Sequence, residues 1–493
     1  MTLSHASTQN AAQRLGARAW GMLLVLCGAI FLDAMDVSMV GVALPSIRTD
    51  LDMSTSSLQW VVSAYVLGYG GFLLLGGRAA DLFGRRRMFL ISLAVFVVAS
   101  ALGGFATDGS LLIATRFIKG ISAGFTAPAG LSIITTSFAE GPARNKAISI
   151  YTATGATGFS LGLVFGGLLT EIGWRWVFFL PAPIALAALI GAVKLVPRDA
   201  PVARSFRSFD LWGAASLTAA MLLLVYTVVE APDVGWGSAR TLGSFAAVAA
   251  ILAGFVAIER RSATPLVRLG ILRSASLVQA NLGAMMLTGG WFGFQFIVTL
   301  YLQALRGWSP LKTGLAIFPA GMLVALLAPR IGPLVMRFGL PRVIGAGLAS
   351  TGIGYALFLP IGLNSGYLAA MLPTFLLAGL GFALAYGPLN IAATNGVAAH
   401  EQGLASGLVS TSFQVGGALV LAVVTAVSNG VTGSDTSPQA VLDGFHAAIA
   451  VSIIAAGLGV LATVARFRSR PAPAEVVALD PAEAEAEVEA RAA

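Results

Sequence analysis

The chain has 493 residues, of which 57% are hydrophobic and only 11% charged, with 58 glycines and a mean hydropathy of +0.85. A soluble domain carries roughly 25% charged residues, so too few polar side chains are present to solvate a surface of this size. A soluble enzyme, a disordered chain and a secreted scaffold are excluded. The net charge is +8, but no basic run interleaves with aromatics, which argues against nucleic acid. Cys27 is the single cysteine and lies in an apolar run, so neither a disulfide framework nor a cysteine metal site is available.

Residues 1–18 are polar, carry Arg14 and Arg18, and are expected to form a cytoplasmic N-terminus. The apolar segment that follows continues for about 25 residues, too long for a signal-peptide core, and reads as a membrane anchor. A spanning helix needs about 20 mostly apolar residues. Fourteen such runs lie near 19–45, 57–77, 88–106, 111–137, 147–170, 175–196, 211–230, 240–258, 277–303, 311–336, 343–361, 367–394, 403–429 and 445–465. None shows the ten-residue alternation of barrel strands, so the expected fold class is an all-α polytopic membrane protein. With the N-terminus inside, 22 of the 30 Lys and Arg collect on the cytoplasmic face. Trp60, Trp174, Trp176, Trp236 and Trp308 then fall at the outer interface. Both termini are expected in the cytoplasm, in a multi-pass protein of the cytoplasmic membrane. The Pro-, Ala- and Glu-rich tail, 467–493, has no apolar face to bury and reads as disordered. His5, His400 and His446 are read as terminal or loop residues.

Span two ends in Gly77-Arg-Ala-Ala-Asp-Leu-Phe-Gly84, and span ten in Gly332-Pro-Leu-Val-Met-Arg-Phe-Gly339, each glycine pair seven apart. Duplicated halves are common in transporters. The expected organisation is a six-helix half over 19–196, two inserted helices over 210–260 and a second six-helix half over 277–466.

Motifs spread from span one to span thirteen carry a family resemblance. Asp36-Val-Ser-Met-Val-Gly-Val-Ala-Leu-Pro45, the loop Gly77–Arg86 with Asp81, Arg116-Phe-Ile-Lys-Gly120, Gly158-x-x-x-Gly162-Leu163-x-x-Gly166-Gly167, Trp174-Arg-Trp176 and Ala405-Ser-Gly407 together resemble the fourteen-helix drug:proton antiporter branch of the major facilitator superfamily. Ser38 and Gly41 stand where that branch has Thr and Asn, Lys119 where it has Gln, and Leu163 where it has Pro. The resemblance implies a major facilitator fold of fourteen transmembrane helices, two six-helix halves plus two inserted helices. It also implies proton-coupled export by alternating access.

Read on their own, Asp33 and Asp36 are the only carboxylates well inside a span. An ionisable residue there costs about 2.5–3.5 kcal/mol on insertion scales, so it is retained for a reason. Three residues apart, the two share a helix face. At about 1.5 Å per residue, Asp36 and Asp33 lie about 13 and 18 Å below the outer end of span one, and Arg116 and Lys119 about 8 and 12 Å below that of span four. The expected pairs are Asp36 with Arg116 and Asp33 with Lys119, a four-charge cluster that couples protons to transport. The bases compete with a proton for the carboxylates, so coupling requires a substrate or a conformational change that breaks a pair. The alternative is a static cluster that fixes helix packing.

Gly77, Asp81, Gly84, Arg85 and Arg86 are expected to gate the cytoplasmic mouth through switchable ion pairs; positive-inside topology alone would also explain the arginines. Gly158, Gly162, Gly166 and Gly167 form a small-residue stripe suited to close helix packing or to a gating hinge. Trp291, Phe294, Gln295, Tyr301, Phe318, Tyr386 and Asn390 are candidates to bind a bulky amphipathic substrate by area and stacking, with core or lipid-facing packing as the alternative for each. No metal, organic cofactor or enzyme chemistry is implied: no Gly-x-x-x-x-Gly-Lys-Ser/Thr loop is present to hold ATP, and the proton is the expected coupling ion. The expected partners are the bilayer and a small amphipathic substrate, in a monomeric protein. The expected function is export of hydrophobic or amphipathic drugs or antibiotics. Export of an endogenous lipid or secondary metabolite, and a non-transporting receptor or scaffold, are the alternatives.

Overall fold

The computed structural model describes residues 16–138, 142–199, 210–262, 265, 267–397, 401–435 and 437–464. The readings made for the extreme N-terminus, His5, His400 and the tail lie outside them. Every regular element among the described residues is helical, as hydrocarbon demands of a segment that must satisfy its own backbone. The first six long helices are α1 (Ala17–Asp50), α2 (Thr55–Phe83), α3 (Arg85–Gly104), α4 (Gly109–Ser137), α5 (Pro142–Ile172) and α6 (Trp176–Leu195, broken at Leu180). Then come α7 (Leu211–Val234), α8 (Ala239–Arg261), α9 (Ala275–Leu305, whose last turn widens to a π-helix), α10 (Pro310–Phe338) and α11 (Leu340–Ala356). The last three are α12 (Tyr367–Thr394, which opens in a π-helix), α13 (Gln402–Thr432) and α14 (Pro438–Val464).

Thirteen of these are long and apolar enough to cross a membrane; α11, at 17 residues, continues into turns over 357–360. Local sequence sets their starts. Ser54, Asp108, Asp210, Ser238, Ser274 and Ser309 each accept a hydrogen bond from a first-turn N–H of the helix they precede. Gly84 and Gly339, the closing residues of the repeated motif, have φ of 97° and 83°, so α2 turns into α3 and α10 into α11 with no loop between.

The neighbour pattern repeats. In the first set α1 packs on α5 and α6, α2 on α4, and α3 on α4 and α6; in the second α9 packs on α13 and α14, α10 on α12, and α11 on α12 and α14. The two sets meet along two seams, α5 with α10 and α2 with α13, and α9 also touches α1. The inserted helices pair with each other, and α7 lies on both α2 and α13, with Thr218 donating to the Gly71 carbonyl at 2.7 Å.

The two ends of the bundle differ in composition. One carries Arg85–Arg87 and the start of α1; the other carries Trp174 and Trp308. At the tryptophan end Asp50 accepts from Trp174 Nε1 at 3.0 Å and from Arg175 at 2.7 Å, which ties α1 to the α5–α6 turn. The α5–α10 seam is closed here by backbone-close contacts, Gly167 on Leu311, Gly314 on Leu163 and Gly321 on Ser160. Towards the basic end Pro329, Arg330, Gly332, Met336 and Phe338 of α10 are exposed.

Two local expectations change. Pro45 does not end α1, which runs on to Asp50, because the tryptophan-end contacts hold the last turn across the missing N–H. His446 is not a loop residue: it lies in α14, half-buried, with Nε2 2.9 Å from the Ile361 carbonyl oxygen.

Candidate functional site

α1 and α4 bring four ionisable residues together in the middle of the first half. Asp36 is fully buried and receives both bases, Arg116 on one carboxylate oxygen and Lys119 on the other. The bases are three apart on α4, so both side chains leave the same helix face. Arg116 Nε also donates to the Val61 carbonyl at 2.9 Å, and its guanidinium lies 4.4 Å from the Tyr65 ring centroid. The Lys119 ammonium sits 4.6 and 5.3 Å from the ring centroids of Phe96 and Phe178. Rings around the cations replace part of the water they lose.

The expected Asp33–Lys119 pair does not form. Asp36 lies level with both bases and takes both, because they share one face of α4. Asp33, one turn nearer the basic end, is left without a base, and its Oδ2 has no hydrogen-bond partner. The cluster is therefore a trio with a separate acid beside it.

The glycine stripe of α5 faces α1. Gly158 lies on Phe31, Gly162 on Met35 and Ser38, and Gly166 on Met39, a one-helical-turn register in which a Cβ would strike α1 backbone. Gly167 points the other way, onto Leu311 of α10. At the basic end Gly84 supplies the turn, but Gly77 does not supply a close approach: a Cβ there would meet only Pro128, at an ordinary 3.8 Å. Its neighbour Gly76 makes that approach, against Gly124 of α4, because it is one residue further round the helix. The Arg86 backbone N–H and guanidinium reach the Asp199 carboxylate at 3.2 Å and the Val193 carbonyl at 2.7 Å, which ties the start of α3 to the end of α6. Arg85 shares that first turn, and the Asp81 side chain lies outside the described residues.

The substrate candidates separate into two groups. Phe294 packs among Tyr355, Phe358 and Phe375, and Tyr301 donates to the Gly362 carbonyl at 2.7 Å while packing on Phe358; both are core of the second half. Phe318 is half-buried on α10, and Asn390 is half-buried and donates to the Tyr386 carbonyl at 2.8 Å. Trp291 instead bridges the halves, with its ring 6.3 Å from Phe159 of α5 and 5.8 Å from Phe382 of α12. Phe382 stacks on Tyr386 at 5.3 Å, and Tyr386 on Phe413 at 4.6 Å, giving a ladder whose Tyr386 rung is 41% exposed. Sequence reading missed Phe159, Phe382 and Phe413; the i, i+4 spacing of Phe382 and Tyr386 was the available signal. Gln295 lines a void of about 10 Å³ with Val37, Gly41, Leu44, Val62, Phe292 and Phe296, room for about one water.

Fourteen helices among the described residues, thirteen of them long and apolar enough to span, form a polytopic membrane bundle with a repeated six-helix neighbour pattern, and the family that the chain matches makes it a transporter rather than an enzyme. The chain belongs to the Major Facilitator Superfamily, which it matches over residues 26–421. It is 38% identical to the puromycin resistance protein of Streptomyces alboniger, covering 90% of this chain and 89% of that one. It is 36% identical to the cephamycin export protein of Amycolatopsis lactamdurans, covering 93% and 95%. Among solved structures it superposes on an auto-inhibited POT family peptide transporter with a TM-score of 0.67 at 17% identity, covering 92% of this chain and 99% of that one.

Proposed function

We propose that this protein exports hydrophobic or amphipathic antibiotics in exchange for protons, by alternating access. It would work as a single chain in the cytoplasmic membrane with the basic end and both termini in the cytoplasm, the side to which Lys and Arg are biased. The observation that carries the proton part is the Asp36–Arg116–Lys119 trio with Asp33 beside it, fully enclosed in a bundle whose surroundings disfavour charge. The antibiotic part rests on the two relatives named for puromycin resistance and cephamycin export.

The residues divide the work. Substrate enters between the halves from the basic end, and the Trp291–Phe382–Tyr386–Phe413 ladder offers it faces to stack on, a mode that tolerates varied structures. A substrate that reaches the carboxyl side of the cluster favours loss of a proton there, and the proton leaves towards the cytoplasm. The halves then rock: the glycine contacts of α5 and α10 at the tryptophan end open while the basic end closes, and substrate departs outward. A proton entering from outside resets the cluster. The driving free energy is the proton gradient.

Proton release by the purified protein on adding puromycin or a lipophilic cation tests the exchange. Release in the wild type that disappears when the cluster's acids are replaced by their amides supports antiport; substrate binding with no proton released contradicts it.

A further inference from the structure

The two acids of α1 are not equivalent, and the difference assigns their roles. Both Asp36 oxygens are engaged by bases, each of which has a second support: the Val61 carbonyl and the Tyr65 ring for Arg116, and the Phe96 and Phe178 rings for Lys119. A proton arriving at Asp36 would have to displace a base and leave it buried without its partner, which costs several kcal/mol. Asp33 has no such competitor, its Oδ2 is unpartnered, and it retains 4% exposure where Asp36 has none. It also shares the face of α1 that continues through Val37, Gly41 and Leu44, the wall of the water-sized void between the halves.

We infer that Asp33 is the carboxyl that gains and loses the transported proton, and that Asp36 with its two bases is a fixed electrostatic anchor beside it. The inference rests on the proton-coupled reading above and assigns the exchange to one side chain. The charged and titratable groups around Asp33 are Asp36 on its own helix, Lys119 and Arg116 on α4, Tyr65 and Tyr69 on α2, and Tyr151 on α5. The anchor trio carries one net positive charge. Protonated Asp33 leaves that charge in place, and ionised Asp33 cancels it, so the proton moves the site between net +1 and net 0. A cationic substrate is repelled by the first state and tolerated by the second, which makes proton and substrate occupancy exclusive without a direct contact between them. The surrounding tyrosine rings offer faces on which a cation can rest.

Infrared pH-difference spectra of the full chain in lipid, for wild type, Asp33→Asn and Asp36→Asn, read the C=O band of a protonated carboxyl and need no substrate. Asp36→Glu serves where the amide variant fails to insert. The expected result is a titrating band in the wild type that is lost in Asp33→Asn and kept in the Asp36 variant. A band kept in Asp33→Asn and lost or shifted in the Asp36 variant overturns the assignment, while proton coupling stands. No titrating band in the wild type also overturns it, and ethidium efflux from vesicles then separates the two ideas: efflux that still follows the proton gradient leaves coupling in place, and efflux indifferent to the gradient removes it as well.

Discussion

The corner where α1 meets α4 and the matching corner where α9 meets α12 hold equivalent places in the two halves and are built from opposite chemistry. The first encloses Asp36, Arg116 and Lys119 with Asp33 one turn away; the second encloses Phe294, Phe375, Phe358 and Tyr355 in edge-to-face and tilted contact. Both are buried, yet only the first carries ionised groups. In the proposed mechanism the first half is the one that responds to protons, and the aromatic corner of the second half is packing. A buried ion pair stabilises little relative to an apolar replacement, so stability alone does not account for the first corner, whereas packing accounts for the second.

That contrast can be broken at its strongest point. Asp36→Ala leaves two buried bases without their carboxylate and should cost about 3–5 kcal/mol, seen as loss of folded protein in thermal-shift measurements. Replacing all three of Asp36, Arg116 and Lys119 by Met should restore folding and abolish proton-driven transport. A triple variant that still transports against a gradient would show the charges to be dispensable. In the other corner Phe294→Ala should destabilise by about 3 kcal/mol through the cavity it leaves, with the proton dependence of any residual transport unchanged. Gly162→Val drives a branched side chain into the backbone of Met35 and should cost about 1–3 kcal/mol. Tyr386→Ala, at the exposed rung of the ladder, should leave the melting temperature nearly unchanged and weaken binding of an aromatic substrate by at most about tenfold, the worth of one ring pair of about 0.5–1.5 kcal/mol. Equilibrium binding on the purified variant measures it.

The seams make a second contrast. α7 lies along the α2–α13 seam, whereas α5 and α10 meet through close glycine contacts at the tryptophan end. Thr218→Ala, which removes the hydrogen bond from α7 to Gly71, should have the smallest effect of this set, about 1 kcal/mol. Cysteine cross-links between α7 and α2 that leave transport intact, set against cross-links between α5 and α10 that stop it, would sharpen the assignment of the moving seam.

Much of this was legible in the sequence because hydrocarbon imposes a simple rule: an apolar run of about 20 residues becomes a helix. Its exceptions are local, as at Pro45, where tertiary contacts carry the helix past a proline. The repeated Gly84 and Gly339 were legible because a direct helix-to-helix turn requires a residue free to take positive φ. Asp36 with Arg116 followed from counting rises along two antiparallel helices. The Asp33–Lys119 pairing did not, since the choice between two carboxylates depends on helix rotation and on side-chain reach, neither of which spacing fixes. That Gly76 and not Gly77 makes the close approach to α4 was not legible for the same reason, one residue being about 100° of rotation. The aromatic ladder was missed because its rungs come from α5, α9, α12 and α13, and no single segment displays it.

Reconstitution into liposomes with an imposed pH difference, with puromycin uptake followed from the side that presents the basic end, asks the decisive question. Proton-coupled export predicts accumulation that rises with the gradient, collapses when an ionophore removes it, and is accompanied by proton movement in the opposite direction. Transport that proceeds unchanged after the gradient is abolished, with no proton counterflow, would contradict it and leave the buried charges a purely structural role.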